Sequence, residues 1–150
     1  MVRLSNHTNL KNKITDADII KILMSDGRRT FVEIAKDLEV TETAIRKRVK
    51  RMENEGIIEG YTVKINPRKL GYGIKAIIGI DTTPQRYIST IQKLKQDADI
   101  LRIYSSNGDH MIMLECWFED DDELASFMAK IETIDGITDI CPAILTDIIK

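Results

Sequence analysis

Five cations fall within six positions, Arg46, Lys47, Arg48, Lys50 and Arg51, in the stretch TETAIRKRVKRMENEGIIEGY at 41–61. Side chains of this kind, massed on one element, neutralise phosphates. The other groups that could do chemistry offer less. The acidic run Glu119–Glu123 is explained by a solvated helix start, where carboxylates oppose the helix dipole favourably. His7 and His110 are the two histidines, and neither has a metal-ligand neighbour at useful spacing along the chain. Cys116 and Cys141 lie in apolar, strand-like stretches with no CxxC, which predicts two buried, reduced thiols. No phosphate-binding loop, dinucleotide fingerprint or nucleophile motif is present. No catalytic residue, metal site or cofactor is therefore expected.

The charge that surrounds the basic run is uneven. Net charge over the 150 residues is −2, yet residues 1–66 hold 13 Lys and Arg against 10 Asp and Glu, whereas residues 67–150 hold 9 against 14. One basic half that meets a polyanion and one acidic half with another task is the natural reading. Asn66-Pro67 and the Gly71-Tyr72-Gly73 run mark the border between two modules. With 43% apolar and 31% charged residues the chain is a globular protein. No apolar run nears the ~20 residues of a membrane helix. The opening MVRLSNHTNLKNK lacks a signal-peptide core, so a cytoplasmic protein that does not engage a membrane is expected.

Helices must carry the first module. Thr15 with Asp18 forms a capping-box start, after which Ile19, Ile20 and Leu23 share a face until Gly27. Thr30 with Glu33 repeats the signal ahead of Ile34, Ala35 and Leu38. Only Glu39 and Val40 separate that helix from Thr41, the expected N-cap of a third. Helices joined this tightly must cross steeply, as in a helix-turn-helix, with small Ala35 at the close contact. Glu39 occupies a turn position suited to the left-handed conformation that Gly adopts most easily.

On the third helix, Ile45, Val49 and Met52 form one apolar stripe at 100° per residue. Thr43, Lys47 and Lys50 then lie opposite, flanked by Arg46 and Arg51. A merely solvated basic face is one reading. The helix-turn-helix context favours double-stranded DNA, with Thr41, Thr43, Arg46, Lys47, Lys50 and Arg51 as the contacting set. The alternation in IIEGYTVKINP then predicts a strand running into the linker.

The second module reads as strand, helix, strand, strand, helix, strand. Ile74–Ile80 is a strand, and a helix beginning at Thr83-Pro84 buries Tyr87, Ile88, Ile91 and Leu94. Strands Ile100–Tyr104 and His110–Phe118 flank an Asn107-Gly108 hairpin. A helix burying Leu124, Phe127, Met128 and Ile131 ends at Gly136, and Ile137–Ile149 supplies the last strand or two. This order is the ferredoxin-like split βαβ. On the strand at 110–118, Met111, Met113 and Trp117 face away from Ile112, Leu114, Cys116 and Phe118. The expectation is an apolar second sheet face that needs a partner.

The run Arg46-x-Arg48-Val49-x-Arg51-Met52-Glu53-x-x-Gly56-Ile57-Ile58-x-Gly60-Tyr61 resembles the Lrp/AsnC family of prokaryotic transcription regulators, also called feast/famine regulatory proteins. The resemblance extends from about Ile14 to Asn66 and resumes more loosely beyond. It implies an α+β chain. Residues 1–13 have no counterpart in the family pattern and are expected to be a tail, disordered or a basic arm. The expected domains are 14–60, a winged-helix-like helix-turn-helix domain, 61–73, a strand and linker, and 74–150, a ferredoxin-like domain for ligand sensing and oligomerisation. The resemblance implies homodimers paired sheet to sheet, assembling into tetramers or octamers. It also implies a small amino-acid effector between dimers, held by a loop that Tyr104-x-x-x-Gly108-Asp109 resembles; Ser105, Ser106 and Asn107 complete this segment. That loop offers hydroxyls, backbone N–H groups and a carboxylate at a turn where Gly permits close approach. Two departures stand out. Met111 sits where the family places an acid, and Ile140-Cys141-Pro142 replaces a Thr-rich segment. An uncharged amino acid is therefore expected rather than Lys or Arg. Two other readings stay open: a ligand-independent architectural DNA-binding protein, and an enzyme like the sirohaem decarboxylases, which resemble the same two-module architecture.

Overall fold

A computed structural model describes residues 14–147 and 149; the tail at 1–13 with His7 lies outside them. The chain divides into two compact units with the boundary between Lys64 and Ile65.

The first unit holds α1 (Asp16–Ser25), α2 (Phe31–Asp37) and α3 (Glu42–Asn54). Each begins where a threonine side chain takes up an orphan backbone N–H. Thr15 Oγ1 accepts from Asp18 N at 3.3 Å while Asp18 accepts from Thr15 N at 2.9 Å. Thr30 and Glu33 exchange the same pair of bonds at 3.2 and 2.8 Å, and Thr41 accepts from Ala44 N at 3.2 Å. Ile19, Ile34, Ala35, Ile45, Val49 and Met52 meet in one buried core. Glu39 closes the turn between α2 and α3 at φ +54°, the left-handed region expected of that position. Val40 N there donates back to Ala35 O at 2.9 Å.

No strand forms between α3 and Pro67, where one was expected. Residues 59–66 are without regular structure and Pro67–Leu70 is a 3₁₀ turn. Alternation alone cannot make a strand: its N–H and C=O groups need a neighbouring ladder, and no strand of the described chain pairs with this one.

The second unit is a four-stranded antiparallel sheet of β1 (Ile74–Thr82), β2 (Ile100–Ser105), β3 (Ile112–Phe118) and β4 (Ile137–Ile144), ordered β2-β3-β1-β4. That is the expected ferredoxin-like arrangement. Its helices α4 (Tyr87–Leu94) and α5 (Asp121–Glu132) contribute Leu94, Leu124, Phe127 and Ile131 to a core with Ala76, Ile78, Ile80, Ile112, Leu114, Cys116 and Phe118. The acidic run starts α5 as foreseen, with Asp120 as N-cap accepting from Glu123 N at 3.0 Å.

Four details depart from expectation. Ile88 is 65% exposed, because the stripe on α4 runs Tyr87, Thr90–Ile91, Leu94 and a residue 100° further round points outward. Cys141 is exposed, on the half-covered edge strand β4, although both thiols are free. Asn107-Gly108 does not form a two-residue turn: the hairpin opens into a loop at 106–111, closed by Ser106 N donating to Met111 O at 2.9 Å. Gly108 is absent from the positive-φ glycines, whereas the tight hairpin turn needs φ above zero.

The fourth concerns the second sheet face, which is not simply apolar. Glu115 lies between Met113 and Trp117 on it and is only 7% exposed. Arg102 Nη1 lies 3.0 Å and Lys75 Nζ 3.3 Å from its carboxylate oxygens. Burial pushes this carboxyl up, but the bonds from Arg102 and Lys75 outweigh it and hold the group below its ordinary range.

A left-handed backbone costs a non-glycine residue about 1–2 kcal/mol, partly offset for glycine by the greater freedom of its unfolded chain. Glu39→Gly should therefore stabilise the first unit by roughly 0.5–1 kcal/mol in urea unfolding. A variant no more stable than the parent would remove this account of the turn.

Candidate nucleic-acid interface and effector loop

The five cations of α3 do not share one environment. Asp16, in the first turn of α1, accepts from Arg48 Nη1 at 2.9 Å through one oxygen and from Arg51 through the other. Arg51 also bonds Glu55 at 2.9 Å. Arg48 and Arg51 thus clamp α3 onto α1, 32 and 35 residues away, a separation that helical spacing does not reach. Hydrogen bonds from Arg51 and then Arg48 hold the Asp16 carboxyl below the usual carboxylate range.

Thr41 spends its hydroxyl on the α3 cap. Arg46 pairs with Glu42 one turn earlier, and its guanidinium carbon lies 5.1 Å from the centroid of the Phe31 ring. Arg29, Thr30, Phe31, Val32, Glu42 and Arg46 line a shallow open depression beside it. Thr43, Lys47 and Lys50 are exposed. Among the described residues, neither Lys47 nor Lys50 has a carboxylate partner. The structure therefore separates the candidate set: Arg51 and Thr41 are committed to architecture, whereas Thr43, Lys47 and Lys50 present free groups on one face.

Tyr104 through Asp109 are all exposed. The Tyr87 and Ser105 hydroxyls lie 2.7 Å apart, and Ser106 Oγ accepts from Gly108 N at 3.1 Å. Both serines are thereby occupied. Asn107 and Asp109 keep their side chains free at the tip.

The histidine that follows the loop has neighbours that sequence spacing does not show. His110 Nδ1 lies 2.9 Å from Asp81 Oδ2 on β1, and Asp139 of β4 completes a group of three. Asp81 also accepts from Met111 N at 2.9 Å. These bonds, that of His110 first, hold the Asp81 carboxyl below its ordinary range.

Comparison with known proteins fits both units. Residues 14–53 match the family model of the AsnC-type helix-turn-helix domain, and residues 75–150 that of the Lrp/AsnC ligand binding domain. The chain belongs to the Lrp/AsnC family. It is 48% identical over 136 residues to the HTH-type transcriptional regulator LrpA of Pyrococcus horikoshii, covering 90% of this chain and 96% of that one. AsnC of E. coli has the same fold, with a TM-score of 0.77 at 29% identity over 92% of this chain and 95% of that one. A transcriptional regulator from Neisseria meningitidis, solved as an L-Met complex, superposes at 0.76 with 20% identity over 92% and 93%. The family and these relatives are transcription regulators rather than enzymes, which sets the decarboxylase reading aside.

The Asp16 clamp sets a pH dependence. Its carboxyl titrates lower when folded, so its stabilisation is complete above the unfolded value of about 3.9 and lost as pH falls through the lower folded value. Asp18 and Glu33, lowered by their bonds to Thr15 and Thr30, act in the same direction. Asp16→Asn should lower the thermal stability of the first unit at pH 7 and shrink its further loss below pH 4. An unchanged acid limb in circular dichroism would count against the clamp.

Proposed function

We propose that this transcription regulator reads the DNA major groove with Thr43, Arg46, Lys47 and Lys50 of α3. The observation that carries this is the sorting of charge on α3. Arg48 and Arg51 are consumed by Asp16, whereas Lys47 and Lys50 stand free on the face opposite the core. Arg46, half-engaged with Glu42 and Phe31, can exchange that surface ion pair, worth at most about 1 kcal/mol, for a phosphate or base edge. Double-stranded DNA is the partner, met by a homodimer whose two recognition helices reach half-sites ~34 Å or a multiple apart.

The acidic unit serves assembly and sensing on this reading. Ile77, Met113 and Trp117 are half-buried on the sheet face that no helix covers. A second copy of that face fits them, with dimers assembling further into tetramers or octamers. An uncharged amino acid is the effector, taken by Tyr104, Ser105, Ser106, Asn107, Gly108 and Asp109. The match of residues 75–150 to a ligand binding domain supports this, as do the exposed side chains of Asn107 and Asp109 at the tip. A ligand-independent architectural protein is the competing reading.

Two measurements test these assignments. If the dimer neutralises roughly six phosphates, log affinity should fall against log salt with a slope of about −5. A folded Lys47→Ala, Lys50→Ala double variant should bind more weakly and with a shallower slope; unchanged affinity and slope would overturn the α3 assignment. For the effector, an amino acid at about 100 times its dissociation constant should add about 2.7 kcal/mol of stability. Gly108→Trp should abolish that gain while sparing DNA binding. If none of the uncharged amino acids shifts the melting temperature, the architectural reading stands.

A further inference from the structure

Asp81 and Asp139 face each other directly across the β1–β4 pair. Like charges in that register destabilise a sheet unless something between them is positive. The nearest candidate is His110, delivered from the other flank of β1 by the loop that leads into β3. The three side chains come from separate strands, strand ends or loops, 29 residues apart in the case of Asp81 and His110. Each can offer one ligand atom such that all three lie within 4.8 Å of one another.

Three features make this more than a chance meeting of acids. Each carboxylate has one oxygen anchored by a backbone amide: Asp81 Oδ1 accepts from Met111 N at 2.9 Å and Asp139 Oδ1 from Ile140 N at 3.0 Å. The second oxygen of Asp81 meets the His110 ring, that of Asp139 is left for another partner, and anchoring bonds of this kind orient metal ligands. The imidazole position is set by Gly79, where a Cβ would stand 2.2 Å from His110 Cδ2; only glycine lets the ring lie so close to β1. Finally, Nδ1 and Asp81 Oδ2 are 2.9 Å apart. Two donors at that separation, each about 2.1 Å from a shared ion, subtend roughly a right angle at it, the angle between neighbouring ligands of an octahedral ion and narrower than that of a tetrahedral one. The bond from His110 serves Asp81, whereas Asp139 facing it has no counter-charge among the described residues.

We infer that Asp81, His110 and Asp139 form a binding site for one divalent transition-metal ion. One imidazole and two carboxylates suit zinc, or manganese and iron in the same class. On binding, Nδ1 turns its lone pair to the ion, the ring proton resides on Nε2, and the facing carboxylates become co-ligands instead of repelling charges. The ion ties β1, β4 and the end of the 106–111 loop together. This assignment does not depend on an amino acid occupying the loop.

The test is calorimetric titration of chelator-stripped, full-length protein with zinc chloride alone, with cobalt absorbance as a second readout of the ligand set. One ion per chain should bind saturably and raise the melting temperature. Asp139→Asn alters an exposed side chain that accepts from its neighbouring amide, so it should fold normally. It and His110→Gln should each weaken binding by at least about the 10–100-fold lost when a merely orienting partner is removed. His7→Gln, which removes the other histidine, should leave it unchanged. Absence of saturable binding, or binding that survives both Asp139→Asn and His110→Gln, would overturn the site.

Discussion

The two guanidinium groups on Asp16 decide what the rest of the first unit can do. An α-helix with five cations in six positions repels itself and presents charge in several directions. Asp16 removes two of those charges from play and, in the same contact, fixes α3 against α1. The apolar stripe Ile45, Val49 and Met52 sets which face of α3 turns inward; the clamp sets which cations stay outward. Hydrophobic burial and electrostatics therefore agree on a single rotation of the helix, the kind of consistency that singles out one structure. Lys47 and Lys50 are free because Arg48 and Arg51 are not.

A comparable division shapes the sheet. One face of β3 is buried without compromise: Ile112, Leu114 and Phe118 are at most 1% exposed. The other alternates Met113 and Trp117 with Glu115. Removing a carboxylate from water is costly unless it is paired and hydrogen-bonded, and here two cations from the flanking strands supply both. Lys75, Glu115 and Arg102 thus run across β1, β3 and β2 and pin the strand order from the side that the helices do not touch. The consequence for assembly is specific. On the proposed sheet-to-sheet pairing, a partner would meet apolar patches broken by a charge that is already neutralised, so pairing need not desolvate a bare carboxylate.

Local chemistry was legible in the sequence. The three threonine caps, the α3 stripe, the left-handed Glu39 and the strand order all follow from rules that act within a few residues or from periodicity. What could not be read depends on distant partners. Asp16 looks like an ordinary first-turn acid until Arg48 and Arg51 reach it across the core. The strand expected at 57–66 has correct alternation but lacks a ladder. His110 seems ligand-free along the chain because Asp81 and Asp139 arrive through sheet register. Cys141 was misplaced for a related reason, since an apolar stretch does not reveal whether its strand is central or at an edge. The wide loop at 106–111 shows the same limit: Asn-Gly signals a reversal, but its width follows from Ser106 and Met111 closing the ladder.

Sequence-distant contacts also hold this loop. Its entry is tied to α4 through the Tyr87 and Ser105 hydroxyls. Its exit is tied to β1 through Asp81, which holds both the His110 ring and the Met111 amide. Between these feet, Asn107 and Asp109 are exposed and unspent. A recognition loop gains precision from rigid attachment and adaptability from a free tip, and the loop proposed as the effector site has both. On the proposed reading, a ligand at the tip would be held between α4 at one end of the loop and β1 at the other, so its binding would bear on the sheet.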